Sequence, residues 1–201
     1  MKIAVFASGR GTNFSAISRA VKKGKVKADL ALLVCDNPKA GVIGRAKRAG
    51  VKVVLVQRDD FSGKDEFEEK IIQHLTENQI DLIVLAGFMR ILGPKLVSAY
   101  KDKILNIHPT ILPSFKGEHG IKDAFDYGLK ITGVTVHFVD AEMDHGPIIL
   151  QAQVKIEEDD TLETLEAKIH KLEHKIYPEA ISLFLEGRLK IEARRVKILK
   201  A

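Results

Sequence analysis

Four short apolar runs, residues 2–7, 30–35, 51–56 and 80–85, recur along the first half of the chain. Between them, Phe14, Ile17, Ala20 and Val21, then residues 42–49, then Phe67, Ile71 and Leu75 fall at helical spacing. A strand that is apolar on both of its faces must be covered on both faces. The layout that supplies such cover is a parallel sheet crossed by helices. An α/β fold is therefore expected, and ligands of such sheets gather at the carboxyl ends of the strands. Residues 8–13, 87–92 and 106–108 are predicted to lie on that edge.

The second half changes period. In residues 134–139, Val134, Val136 and Phe138 point one way and Thr135 and His137 the other. In residues 148–156, apolar residues alternate with Gln151, Gln153 and Lys155. Alternation of this kind belongs to antiparallel strands, so the sheet is expected to be mixed but mainly parallel, with helices on both faces. A long helix follows, with Leu162, Leu165, Ile169, Leu172 and Ile176 on one side and a capping-box pattern at Asp160 and Glu163. Pro178 is expected to kink or end it. No repeat, linker or low-complexity segment interrupts the chain, which reads as one domain over residues 1–201.

Composition removes several classes. No apolar run approaches the length needed to span a bilayer, and the opening residues meet Gly9 too soon for a secretory signal, so the expected location is cytoplasmic, with no membrane partner. Cys35 is the single cysteine, which rules out an intrachain disulfide and a cysteine-rich zinc site. The net charge of +5 is concentrated in residues 187–201, where six Lys or Arg face Glu192 alone. A solvated basic tail is the expectation there, with steering of anionic ligands or contact with a polyanion as the alternative, and no nucleic acid is among the expected partners.

Three stretches carry chemistry. Ser8-Gly9-Arg10-Gly11-Thr12-Asn13 joins a strand to a helix. Its glycines admit close approach of an anion, Thr12 or Asn13 can cap, and the helix start offers N–H groups to a phosphate. A bare turn and a dinucleotide site, with Asp36 as the ribose acid, stay open as alternatives. Residues 88–92 form an apolar loop suited either to lining a pocket for a flat ring or to packing beneath the next helix. In residues 103–117, Asn106 and His108 leave a strand on the same face, and Pro109 and Pro113 forbid regular structure after it. His108, His119, His137 and His145, with Asp140, Glu142 and Asp144, then pose a choice between a metal site and an acid–base site. No HExxH pattern supports the metal. In the acid–base reading Asp144 raises the His108 pKa, and Asn106 joins His108 around a developing oxyanion, as acyl transfer to an amine requires.

Asn106-Ile107-His108-Pro109, Leu112-Pro113 and Asp144-His145-Gly146-Pro147 resemble the formyltransferase family that uses 10-formyltetrahydrofolate. The match extends to residues 8–13, to Leu85-Ala86-Gly87-Phe88-Met89-Arg90, and to Glu173-His174 through Tyr177-Pro178. The resemblance implies a Rossmann-like formyltransferase fold and 10-formyltetrahydrofolate as the formyl donor, with no metal. The implied acceptor is the amine of 5-phosphoribosylglycinamide, a step of purine synthesis, in a monomer or homodimer. It further implies that Asn106, His108 and Asp144 are catalytic, that Gly11, Thr12 and Asn13 hold the substrate phosphate, and that His170 and Glu173 reach the rest of that substrate. The folate would be met by Met89, Arg90, Ile91 and Leu92, by Asp140, Ala141, Glu142 and Met143, by an apolar lining of Leu85, Val97 and Ile104, and by Lys64 at its glutamate tail. His145 stands where the family has a small residue or threonine, placed to compete with His108 for Asp144.

Overall fold

The computed structural model describes residues 1–200. Its strands form a nine-stranded, mixed and mainly parallel sheet with helices packed against it. The chain order is β1 (Lys2–Phe6), α1 (Thr12–Lys22), β2 (Asp29–Cys35), α2 (Gly41–Ala49), β3 (Lys52–Leu55), α3 (Lys64–Glu77), β4 (Leu82–Leu85), α4 (Pro94–Ala99) and β5 (Ile104–His108). It continues with α5 (Gly120–Asp126), β6 (Ile131–Phe138), β7 (Ile148–Lys155), α6 (Leu162–Leu185), β8 (Leu189–Glu192) and β9 (Arg195–Ile198). Across the sheet the strands run β3-β2-β1-β4-β5-β6-β7-β9-β8. Two compact units divide the chain after Leu105.

In the first unit, β1 pairs in parallel with β2 on one side and β4 on the other, and β2 pairs with β3. The direction of strand succession reverses at β1, which opens a crevice beyond the carboxyl ends of β1 and β4. These strands are as dry as their sequence predicts: Ile3, Ala4, Val5, Phe6, Leu82, Ile83 and Val84 are wholly buried. The second unit is held by the antiparallel pair β6 and β7, against which α6 packs.

Three sequence expectations change. The cap of α6 is Thr161, whose hydroxyl accepts from the Thr164 N–H while the Thr164 hydroxyl accepts from the Thr161 N–H. Asp160 instead takes the Thr164 hydroxyl proton and pairs with Lys168. The helix also runs through Pro178 rather than ending there. Tyr177, Ile181, Ile176 and Leu183 are buried around the proline. At about 1.5–3 kcal/mol for each large apolar side chain, their burial exceeds the roughly 3 kcal/mol that an internal proline costs. Finally, the basic tail folds into the hairpin β8–β9, and β9 joins β7 in parallel at Ile148 and Arg195. Ile191 and Val196 are paired across it and half-buried, while Glu192 pairs with Lys190 and Lys197.

Gly11 is the tightest backbone position of the glycine loop. It precedes α1 with φ of 77°, and a Cβ there would come within 2.5 Å of the Val42 side chain. Gly11→Ala is therefore expected to lower unfolding free energy by about 2 kcal/mol or more. A second substitution, Val42→Ala, should remove only the contact with Val42 Cγ2, since Val42 Cβ and Cα would still lie at 2.6 and 2.9 Å, and should leave the φ strain. Urea denaturation of the two variants separates the contributions.

Candidate active site

In the first unit the glycine loop and the 88–92 loop are tied to each other by Ser8. Its N–H donates to the Gly87 carbonyl at 2.9 Å and its hydroxyl accepts from the Met89 N–H at 2.9 Å. Gly11 itself occupies the cap position of α1 in a left-handed conformation, so neither Thr12 nor Asn13 serves as cap. Glycine has no side chain with which to cap the helix, and the N–H groups of a helix's first turn are donors of the kind an anion uses. Outside the loop, Arg45 donates to the Arg10 carbonyl at 2.7 Å and to the Ser15 hydroxyl at 3.1 Å.

Met89 and Ile91 are exposed, whereas Leu92, Leu85 and Ile104 are buried and Val97 is half-buried. Exposed apolar side chains on a loop held from below by Ser8 suit contact with a flat ring. The Arg90 Nε donates to Asp36 at 2.8 Å, so Asp36 fixes this loop. Exposed Lys64 opens α3 and lies against Gly93, next to Leu92. Buried Glu68 accepts the N–H groups of Gly93 and Leu96, which anchors the end of the same loop.

The second unit brings together the residues around Asp144, whose side chain is 9% exposed. His108 Nδ1 lies 3.4 Å from one carboxylate oxygen, and Asn106 Nδ2 lies 3.4 Å from the other. The Gly117 N–H donates to Asp144 at 3.0 Å. His137, not singled out as catalytic by the sequence, completes the group: its Nε2 is 3.2 Å from Asn106 Nδ2 and 3.7 Å from Asp144. His137 Nδ1 faces the Phe138 carbonyl at 2.7 Å, so Nδ1 carries the proton and Nε2 accepts from Asn106. That contact sets the rotamer of the Asn106 amide and points its N–H groups at His137 and Asp144. The signal for His137 was present in the sequence, since Thr135 and His137 share the face of β6 opposite Val134 and Val136.

His108 departs from expectation. Burial pushes its pKa below the usual histidine value, against the opposing pull of Asp144 and of the Phe115 carbonyl. Nε2 sits 2.8 Å from that carbonyl, so both ring nitrogens face acceptors, and only the imidazolium could donate to both. Desolvation outweighs this preference and favours the neutral ring in the free protein. For Asp144, burial raises the carboxyl pKa, but the Gly117 N–H and the His137 and His108 rings, in their protonated forms, together bring it below the ordinary carboxylate value.

His145 does not compete for Asp144. Its Nδ1 lies 2.8 Å from Asp140, and the histidine-and-acid density seen in the sequence thus resolves into one group at Asp144 and another at Asp140. Asp140 is half-buried, and Ala141, Glu142 and Met143 are exposed on the loop that carries Asp144. On α6, His170 pairs with buried Glu173 at 2.9 Å, and Glu173 is near enough to favour the charged form of His108.

A depressed histidine pKa has a definite sign in stability. The unfolded chain binds the His108 proton more readily than the folded one, so stability is fully present above about 6.5 and declines as pH falls below it. Urea unfolding between pH 8 and 5 (roughly the range in which histidine titrates) should show this loss, and His108→Gln should make the decline shallower.

The formyl transferase family model matches residues 1–181. A phosphoribosylglycinamide formyltransferase of Bacillus subtilis is 48% identical over 92% of this chain and 94% of its own length. Its namesake from Escherichia coli is 38% identical over 95% of this chain and 90% of its own. The crystal structure of glycinamide ribonucleotide transformylase 1 from Symbiobacterium toebii superposes with a TM-score of 0.97 at 42% identity, covering all of this chain and 94% of that one. With the fold, the family model and close relatives in agreement, the chain belongs to the formyl transferase family, in its phosphoribosylglycinamide formyltransferase branch.

Proposed function

We propose that Asn106, His108 and Asp144 carry the transfer of a formyl group from 10-formyltetrahydrofolate to the amine of 5-phosphoribosylglycinamide. The observation that supports this most directly is the meeting of His108 and Asn106 at the two oxygens of one buried carboxylate. No side-chain nucleophile is required. The amine attacks the formyl carbon, the carbonyl oxygen takes up negative charge, and the bond from carbon to the folate nitrogen then breaks.

A neutral His108 is suited to the first step. The imidazole can accept charge as the amine loses its proton, because Asp144, held ionised, stabilises the resulting imidazolium. The charged ring and the Asn106 amide then serve the oxyanion, which needs His108 Nε2 to leave the Phe115 carbonyl and Asn106 to give up one of its two present acceptors. The proton from the amine reaches the departing folate nitrogen, which balances the reaction. Gly11, Thr12 and Asn13 are assigned to the phosphate and His170 and Glu173 to the ribose or glycinamide end. Lys64, Leu85, residues 89–92, Val97, Ile104 and residues 140–143 are assigned to the folate.

The test is formyl transfer from 10-formyltetrahydrofolate, with 5-phosphoribosylglycinamide as acceptor beside water and other amines. His108→Ala should reduce kcat by about 10²- to 10³-fold with a much smaller change in KM, as for loss of an oxyanion donor. Near-normal turnover in that variant would remove His108 from the mechanism.

A further inference from the structure

The loop that carries Asp144 is gripped from outside by a residue beyond the stretch matched by the family model. Arg194 stands with Ala193 in the turn between β8 and β9. Its Nη2 donates to the His145 carbonyl at 2.7 Å, and its Nη1 lies against the His145 ring, 2.7 Å from Nε2 and 3.4 Å from Nδ1. A carboxylate can only accept, so His145 Nδ1 carries the proton that goes to Asp140. The Asp140 carboxylate in turn accepts the Glu142 N–H at 3.0 Å. Arg194, His145 and Asp140 are thus in contact one after another across the loop.

At its base the same loop is closed by backbone. Gly146 lies so near the Phe138 carbonyl that a Cβ would stand 1.9 Å from it, and the Phe138 N–H donates to Pro147 at 2.9 Å. Between these fixed points Asp144 holds a left-handed backbone, φ 49°, a conformation that a non-glycine residue keeps only when its neighbours impose it. The Arg194 contacts fall on the very next residue, His145.

We propose that Arg194 is a positioning residue for formyl transfer: by holding the carbonyl and ring of His145, it fixes the 140–146 loop so that Asp144 presents its oxygens to His108 and Asn106. The inference rests on the proposed role of Asp144. It gives the C-terminal hairpin a task in the reaction and gives His145 a use other than competing for Asp144. Arg194 acts through the loop and does not touch the reacting atoms.

Formyl transfer by the full chain, carrying Arg194→Met, Arg194→Lys, His145→Ala or the Met and Ala substitutions together, tests it, with Arg195→Met as a neighbouring charge control. Arg194→Met should lower kcat about fivefold or more while leaving KM for the amine substrate within about twofold, since a misplaced group affects turnover more than binding. Lysine should restore part of the loss by bonding the carbonyl alone. The Arg194→Met and His145→Ala losses should be less than additive, because the two residues share one contact. Arg195→Met should match the parent.

Parent-like kcat in Arg194→Met, an equal loss in Arg195→Met, or fully additive losses would overturn the proposal. Should Arg194→Met unfold, a parent-like kcat in His145→Ala would do so by itself. Failure of the unsubstituted chain to transfer formyl groups would instead remove the functional reading beneath it.

Discussion

One buried carboxylate governs the second unit. Asp144 receives the Gly117 N–H, faces His108 and Asn106 with different oxygens, and lies beside His137. A carboxylate that is 9% exposed is costly to keep charged unless its oxygens have partners, and these neighbours are what make the charge tolerable. The dependence is mutual. Asp144 lies within ion-pairing distance of His108, and the Asn106 amide takes its orientation from Asp144 and from His137.

Burial favours the neutral form of both members of the central pair, yet the two end in opposite states. It pushes His108 toward its neutral form and also disfavours the charged form of Asp144, yet the partners of Asp144 overcome the penalty and those of His108 do not. The result is an anionic carboxylate beside an imidazole that can take up a proton during turnover. A histidine already charged in the free protein would be a ready oxyanion donor but a poor acceptor of the amine proton. Phe115 matters for the same reason, because its carbonyl occupies the ring nitrogen that the reaction needs.

The first unit solves a different problem, which is to keep two loops in place at the carboxyl ends of parallel strands. Ser8 bonds the backbone of residues 87 and 89, Asp36 holds Arg90, and Glu68 anchors Gly93. All three are buried polar side chains: Ser8 and Glu68 are matched to backbone N–H donors, and one oxygen of Asp36 to the Arg90 guanidinium. They leave the apolar side chains of Met89 and Ile91 exposed on a fixed support.

Period and spacing were enough to read the parallel strands of the first half, the alternating strands of the second, and the pairing of Asn106 with His108 on one face of β5, because strand geometry alone dictates which side chains share a face. The acid–base reading proposed Asp144 as the partner of His108, and the resemblance of separated motifs singled it out from Asp140 and Glu142, which no local pattern could do for residues almost forty positions apart. Other features needed the folded chain. Alternation in the last residues was masked by their charge, so a hairpin looked like a solvated tail, and the burial of residues 176–183 was needed to show that α6 survives Pro178. The protonation preference of His108, the recruitment of His137 and the grip of Arg194 on His145 were likewise decided only in three dimensions. Each depends on how much water is excluded and which acceptor faces which nitrogen, and those quantities are set by contacts between residues distant in sequence.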